Sequence, residues 1–331
     1  MAASNVYAVE PALPVLAHSL LEQMSRSSNI EQPTGEVTND STWNLQGDWK
    51  EGIQVSSTRI FRYGAVIGFS RLRTRANNND EYIAEIPRRL AINHLQRTLP
   101  SVEPSTFIIY PESFTAFAPI TLLKALQRGE TGLSQAEAMK RLDSVQLFPI
   151  HHLSTAVQAI GQITEQLQQI QEKREANCEP FSHGRGVILI VVGLDSLAEA
   201  IIRASNPLKG NAVLSSTLRN LTRISRAYSS FLSILLLNTS GIGPAYSPQE
   251  PQMGQHGGAV EETRSSGDEG VYSIFQAPGS PLLSNMLMRT LDQGTDIHIL
   301  LSDVKSAHVA EVIKDRSGPG IGKWGLWSFQ K

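Results

Sequence analysis

The sequence predicts an α/β protein built on a doubly wound, mostly parallel sheet, and three observations carry that expectation. Short apolar runs of strand length alternate with stretches of helical periodicity through the middle of the chain. One of these runs, residues 187–192 (VILIVV), has no polar residue on either face, as a strand covered by helices on both sides requires. The last part of the chain then switches to consecutive short strands, two of them joined by the Gly-Pro turn at 317–322, which suits an antiparallel edge.

The elements follow in order. Leu16, Leu20, Leu21 and Met24 mark one short helical pattern, and residues 25–58 are rich in Ser, Asn, Gln, Thr and Gly, so residues 1–58 are expected to form a loosely ordered arm ahead of a core at 59–331. Residues 64–69, 106–110, 145–150, 187–192 and 231–237 have strand length and composition. Residues 88–99 fit a connecting helix, as do 154–174, where Val157, Ile160, Ile163, Leu167 and Ile170 fall on one face, and 211–228, with Leu218, Leu221 and Ile224 inward. Residues 239–276 carry several Gly and Pro breakers and no hydrophobic periodicity, and are too long for an ordinary connection. A helix at 282–292, closed by Gly294, leads into strands at 297–302, 307–316 and 323–329.

Composition excludes several classes. With 29 Lys+Arg against 31 Asp+Glu, the formal charge of -2 announces neither a polyanion nor a membrane surface as partner, so any basic surface must be local. Cys178 is the only cysteine, which rules out an intrachain disulfide and Cys-based zinc or iron–sulfur sites. The longest apolar runs, 187–194 and 231–237, are far shorter than the roughly 20 residues of a membrane-spanning helix. Residues 14–21 have no basic residue ahead of them, and so do not read as a secretory signal. His151 and His152 are adjacent and begin a helix, where they do not face one metal ion, and no Gly-x-Ser-x-Gly elbow occurs.

The apolar strand followed by Gly193-Leu194-Asp195-Ser196 resembles the Walker-B element of a P-loop ATPase, in which a carboxylate at the end of a buried strand holds Mg²⁺. Here the acid comes three residues after Val192, and a helix cap is the competing reading. The partner motif, G-x-x-x-x-G-K-[ST], is absent. Only Lys323 follows a glycine, and Ser317 and Trp324 stand where the motif needs Gly and Ser/Thr. Between the first strand and its helix, residues 70–80 read SRLRTRANNND, which supplies charge but no glycine to let the backbone approach a phosphate.

From 64 to 329 the order of parts resembles the RecA-like recombinase family, and within it the eukaryotic recombinase paralogues that act as mediators of homologous recombination. The parts are Gly64-Ala-Val-Ile-Gly68 before a helix, Ile108-Ile109-Tyr110 with Phe117-Ala-Pro119 beyond it, 143–148 (DSVQLF) before a long helix, 189–195 (LIVVGLD), 235–240 (LLLNTS), and the terminal pair 309–316 and 324–327. The resemblance implies a RecA-like three-layer sandwich, DNA-dependent ATPase activity with ATP and Mg²⁺ as cofactors, other recombinase paralogues and the recombinase as partners, contact with single-stranded DNA and a nuclear location. Carried over residue by residue, it makes Gly64, Gly68 and Asp195 cofactor-binding, Asp195 also the magnesium carboxylate, Asn238 a polar sensor and Glu112 the water-orienting base. Asn238 capping its strand and Glu112 as a solvated loop acid are the plainer readings.

The missing phosphate cradle has two explanations. It is a true loss that leaves a binding scaffold, or residues 70–87 translate an intron boundary in place of a P-loop exon, as the run Asn77-Asn78-Asn79-Asp80 suggests.

DNA contact has a second source in local charge. Residues 200–249 hold Arg203, Lys209, Arg219, Arg223 and Arg226 and no acid, and the last three share one helix face. Arg59, Arg62, Arg71, Arg73 and Arg75 form a second basic cluster, and Lys314 and Arg316 a third. The alternative function is a non-catalytic RecA-fold assembly subunit of a tRNA-modifying complex.

Overall fold

The computed structural model describes residues 42–56, 58–73, 80–98, 103–128, 132–176, 186–243, 271–276, 281–304 and 307–328. The expected helix near residues 16–24 and most of the loop 239–276 lie outside the described residues. Residues 41–331 form one compact unit.

The elements are α1 (Leu45–Glu51), β1 (Val66–Leu72), α2 (Asp80–Arg97), β2 (Thr106–Pro111), α3 (Pro119–Arg128), α4 (Gln135–Leu142), β3 (Val145–Ile150), α5 (Leu153–Ala176), β4 (Val187–Val192), α6 (Leu194–Ala204), α7 (Pro207–Ala227), β5 (Leu232–Ile242), α8 (Met286–Gln293), β6 (Ile297–Val304), β7 (Ala307–Asp315) and β8 (Trp324–Trp327). The eight strands form one sheet in the order β3-β2-β4-β5-β1-β6-β7-β8. β4 is paired in parallel with β2 on one side and β5 on the other, and β1 in parallel with β5 and β6, so the apolar ribbon is central as expected. β6–β7 and β7–β8 are antiparallel, which makes the predicted edge.

Alternation along the strands makes two cores. Leu189, Val191, Ile234 and Leu236 face Ile160, Ile163 and Leu167 of α5, Leu218 and Leu221 of α7 and Leu291 of α8. Ile188, Ile190, Leu235, Leu237, Ile67 and Phe69 face α2 through Ile83, Ile86 and Leu90. Helices on both faces of a mainly parallel sheet with an antiparallel edge make the doubly wound, three-layer α/β sandwich predicted from the sequence. No helix among the described residues is long and apolar enough to cross a membrane.

Three boundaries differ from expectation. Residues 42–56 belong to the core and not to the expected arm: Trp43, Leu45 and Trp49 are buried, Trp43 N–H donates to the Trp324 carbonyl at 2.6 Å, and Asn93 donates to the Trp49 carbonyl at 2.9 Å. Three large apolar side chains among polar neighbours suffice to dock a two-turn helix that composition alone assigns to the arm. The first connecting helix begins at Asp80 rather than Arg88 and accommodates Pro87 inside it, with Tyr82, Ile83, Ala84 and Ile86 buried. β5 continues to Ile242, beyond the expected end at 237, through an irregular stretch that shapes the site below.

Candidate functional site

Ligands of open α/β sheets bind beyond the carboxyl ends of the strands. There, a cleft of about 560 Å³ opens among Asp80 at the start of α2, Glu112 and Ser113 after β2, His151 after β3, Ser196 in the first turn of α6 and Thr239 in β5. Glu112 is well exposed on its rim, 3.5 Å from His151 Nε2.

Asp195 and Asn238 stand behind this cleft, but each is engaged by the protein itself. Asp195 is fully buried; its Oδ2 accepts the Ser240 backbone N–H at 2.5 Å, and the Thr239 hydroxyl donates to Oδ1 at 3.3 Å. The Thr239 hydroxyl also meets the Ser196 hydroxyl at 2.5 Å on the cleft wall. Asn238 is fully buried in β5, and its Nδ2 donates to Ser70 Oγ at 2.9 Å.

The backbone between them is bulged. Ser70 pairs with Asn238 but Leu72 pairs with Ile242, so a step of two residues in β1 faces a step of four in β5. Gly241, at φ 70°, takes the left-handed turn that this needs. The carbonyls turned out by the bulge are collected by arginines: Arg71 donates to Thr239 O at 2.9 Å, and Arg73 to Gly241 O at 3.3 Å. Partial burial lowers the Arg71 pKa, opposed by the nearby charges of Asp80 and Asp195. Burial likewise raises the Asp80 carboxyl above its ordinary value, against the pull of Arg71.

The residues at this edge do not fit a magnesium nucleotide. A triphosphate needs backbone N–H groups, glycine and a lysine at the start of the helix after β1. That helix starts instead with Asp80 and Glu81, and residues 74–79 contain neither Gly nor Lys. The carboxylate assigned to magnesium is spent on the Ser240 amide, and the described residues contain no group of three or more His, Cys, Asp or Glu that suits a metal ion.

The glycines assigned to the cofactor lie elsewhere. Gly64 precedes β1 at its amino end, where its carbonyl accepts from Arg226. Gly68 is inside β1, where a Cβ would lie 2.6 Å from Thr295 Cγ2, so it serves packing.

The basic residues divide. Arg219 and Arg223 on α7 are exposed, and among the described residues neither pairs with an acid; Arg223 donates only to Asn220, at 3.0 Å. Arg226 pairs with Asp296 at 2.5 Å, Lys314 with Asp292 at 2.8 Å, and Arg316 donates to the Gln293 carbonyl at 2.5 Å. The α7 stripe and the Lys314–Arg316 cluster, separate in sequence, therefore meet at the 292–296 turn on the amino side of the sheet, away from the cleft. Lys314 is a structural cation there: burial lowers its pKa against the hydrogen bond and charge of Asp292.

Sequence reading missed a second polar group. Ser70 Oγ lies 2.8 Å from His298 Nε2, and His298 Nδ1 lies 2.8 Å from Asp292 Oδ1. A histidine between Ile297 and Ile299 of a buried strand was the available signal.

No family model and no curated protein matches the sequence. Among solved structures, the chain is similar to the RadB recombinase at 13% identity and a TM-score of 0.46, over 81% of this chain and 88% of that one.

Proposed function

We propose that this RecA-fold chain acts in homologous-recombination repair in the nucleus, binding single-stranded DNA and partner paralogues without using a nucleotide of its own. The observation that carries the reading is the basic face of α7. Arg219 and Arg223 are exposed on it with no acid paired to them among the described residues, and Arg226 and Arg316 continue it to the 292–296 turn. A local arginine surface on a nearly neutral protein is what phosphate-backbone binding requires. A carboxyl-edge cleft whose Asp195 is engaged by the Ser240 amide, with no glycine–lysine cradle before α2, supports a role in binding and assembly rather than hydrolysis.

Fluorescence anisotropy with labelled single-stranded DNA tests this. The wild-type chain retains the DNA, loses it steadily as salt rises and is indifferent to ATP, while Arg219→Glu with Arg223→Glu weakens binding at least about tenfold. Retention of tRNA but not of DNA overturns the reading in favour of an assembly subunit of a tRNA-modifying complex.

A further inference from the structure

A continuous polar chain crosses the buried face of the sheet beneath α7 and α8. Asn238 and Ser70 are fully buried and His298 is 1% exposed, and the chain continues to Asp292 on α8 and Lys314 on β7. Its polarity follows from donor counting. Asn238 Nδ2 donates to Ser70 Oγ at 2.9 Å, so the single Ser70 proton is directed to His298 Nε2 at 2.8 Å. That leaves Nδ1 as the protonated nitrogen of the neutral ring, donating to Asp292 Oδ1 at 2.8 Å, while Lys314 Nζ donates to Asp292 Oδ2 at 2.8 Å. The atom left over is Asn238 Oδ1, buried and without a partner among the described residues.

Protonating His298 reverses this order. With Nε2–H also a donor, Ser70 Oγ faces two donors and its own proton has no acceptor. Turning the Asn238 amide over resolves the conflict: Nε2–H donates to Ser70, and Ser70 donates to Asn238 Oδ1. Each state holds two hydrogen bonds at Ser70 and orphans one amide atom, Oδ1 in the first and Nδ2 in the second, so the turn costs no net bond. We propose that Asn238, Ser70, His298 and Asp292 form a two-state hydrogen-bond switch that carries the protonation of His298 to the carboxyl end of β5. Asn238 directly precedes Thr239, which lines the cleft, and Ser240, which caps Asp195.

The charges around the ring are mixed. Asp292 on α8 meets the ring at 2.8 Å and Lys314 on β7 meets the same carboxylate at 2.8 Å. Asp296 is paired with Arg226 of α7, Arg316 just after β7 lies at the same turn, and β1 and β5 present only the neutral Ser70 and Asn238.

Nitrogen-15 NMR of the full chain between about pH 8 and 5 tests the switch. The expected result is a neutral ring protonated at Nδ1, and Asn238 side-chain amide signals that move with the same midpoint as the His298 ring. In Ser70→Ala the ring still titrates and the Asn238 signals no longer follow. A neutral ring protonated at Nε2, Asn238 signals that stay still while the ring titrates, or a ring that remains neutral until the protein unfolds would each overturn the proposal. The wild-type titration decides the matter by itself if Ser70→Ala does not fold.

Discussion

The carboxylate of Asp195 accepts the backbone N–H of Ser240 at 2.5 Å. Through this bond, the acid in the first turn of α6, just beyond the central strand, is spent on closing the bulge of β5, with Arg71 and Arg73 closing it from the other side. The acid best placed to hold a ligand at this edge is thus engaged by the chain's own groups, and the exposed Arg219 and Arg223 lie apart from it on α7.

Asp195→Ala leaves the half-buried Ser240 amide without its acceptor. The expected cost is about 1–3 kcal/mol in urea unfolding. Magnesium is expected to change the stability of neither wild type nor variant; a magnesium-dependent stabilisation present in wild type and lost in the variant would make Asp195 a metal ligand.

Gly68→Ala places a methyl group against Thr295 Cγ2, 2.6 Å away, with an expected loss of about 1–3 kcal/mol. Adding Thr295→Ser removes that methyl and keeps the hydroxyl that donates to the Asp292 carbonyl at 2.8 Å, so the pair is expected to recover much of the loss. Strictly additive losses in a double-mutant cycle would show that Gly68 is needed for something other than room.

Asp315 predicts an acid-dependent loss of stability. Burial alone would raise its pKa, but the buried Arg62, paired at 2.8 Å, and the amides of Ser317 and Gly320 hold it below the ordinary value. A depressed folded-state pKa means that the pair's contribution is complete above about pH 4 and is lost as pH falls through the lower, folded value. Asp292 acts in the same direction, because the bonds and charges of His298 and Lys314 outweigh its burial. Burial raises Glu311 and Asp80, whose contributions run oppositely and increase as pH falls. Asp315→Asn is therefore expected to be less stable than wild type at pH 7 and to lose less on acidification, in denaturant titrations at both ends of the range. Equal acid losses in the two proteins would contradict this account of the pair.

Much of this architecture was readable from the chain because it rests on periodicity. Residues 187–192 have no polar face to expose, and Ile160, Ile163 and Leu167 recur at helical spacing, so the central strand and α5 emerge from pattern alone. The start of α2 was hidden by Pro87, and the docking of residues 42–56 rests on isolated aromatic side chains that composition averages away. At the site, Asp195, Asn238 and Glu112 lie toward the carboxyl edge, a position that follows from strand order. What engages Asp195 was not readable, because it depends on a bulge set by pairing between β1 and β5. The Ser70–His298 contact joins residues 228 positions apart and exists only through the register of β1 and β6.

Titration calorimetry of the full chain with ATP and magnesium tests the central claim most directly. A carboxyl edge with Asp195 engaged by Ser240, no glycine–lysine cradle and an acidic start to α2 predicts no saturable heat and no rise in melting temperature. Saturable binding of one nucleotide per chain, lost in Asp195→Ala, would contradict it.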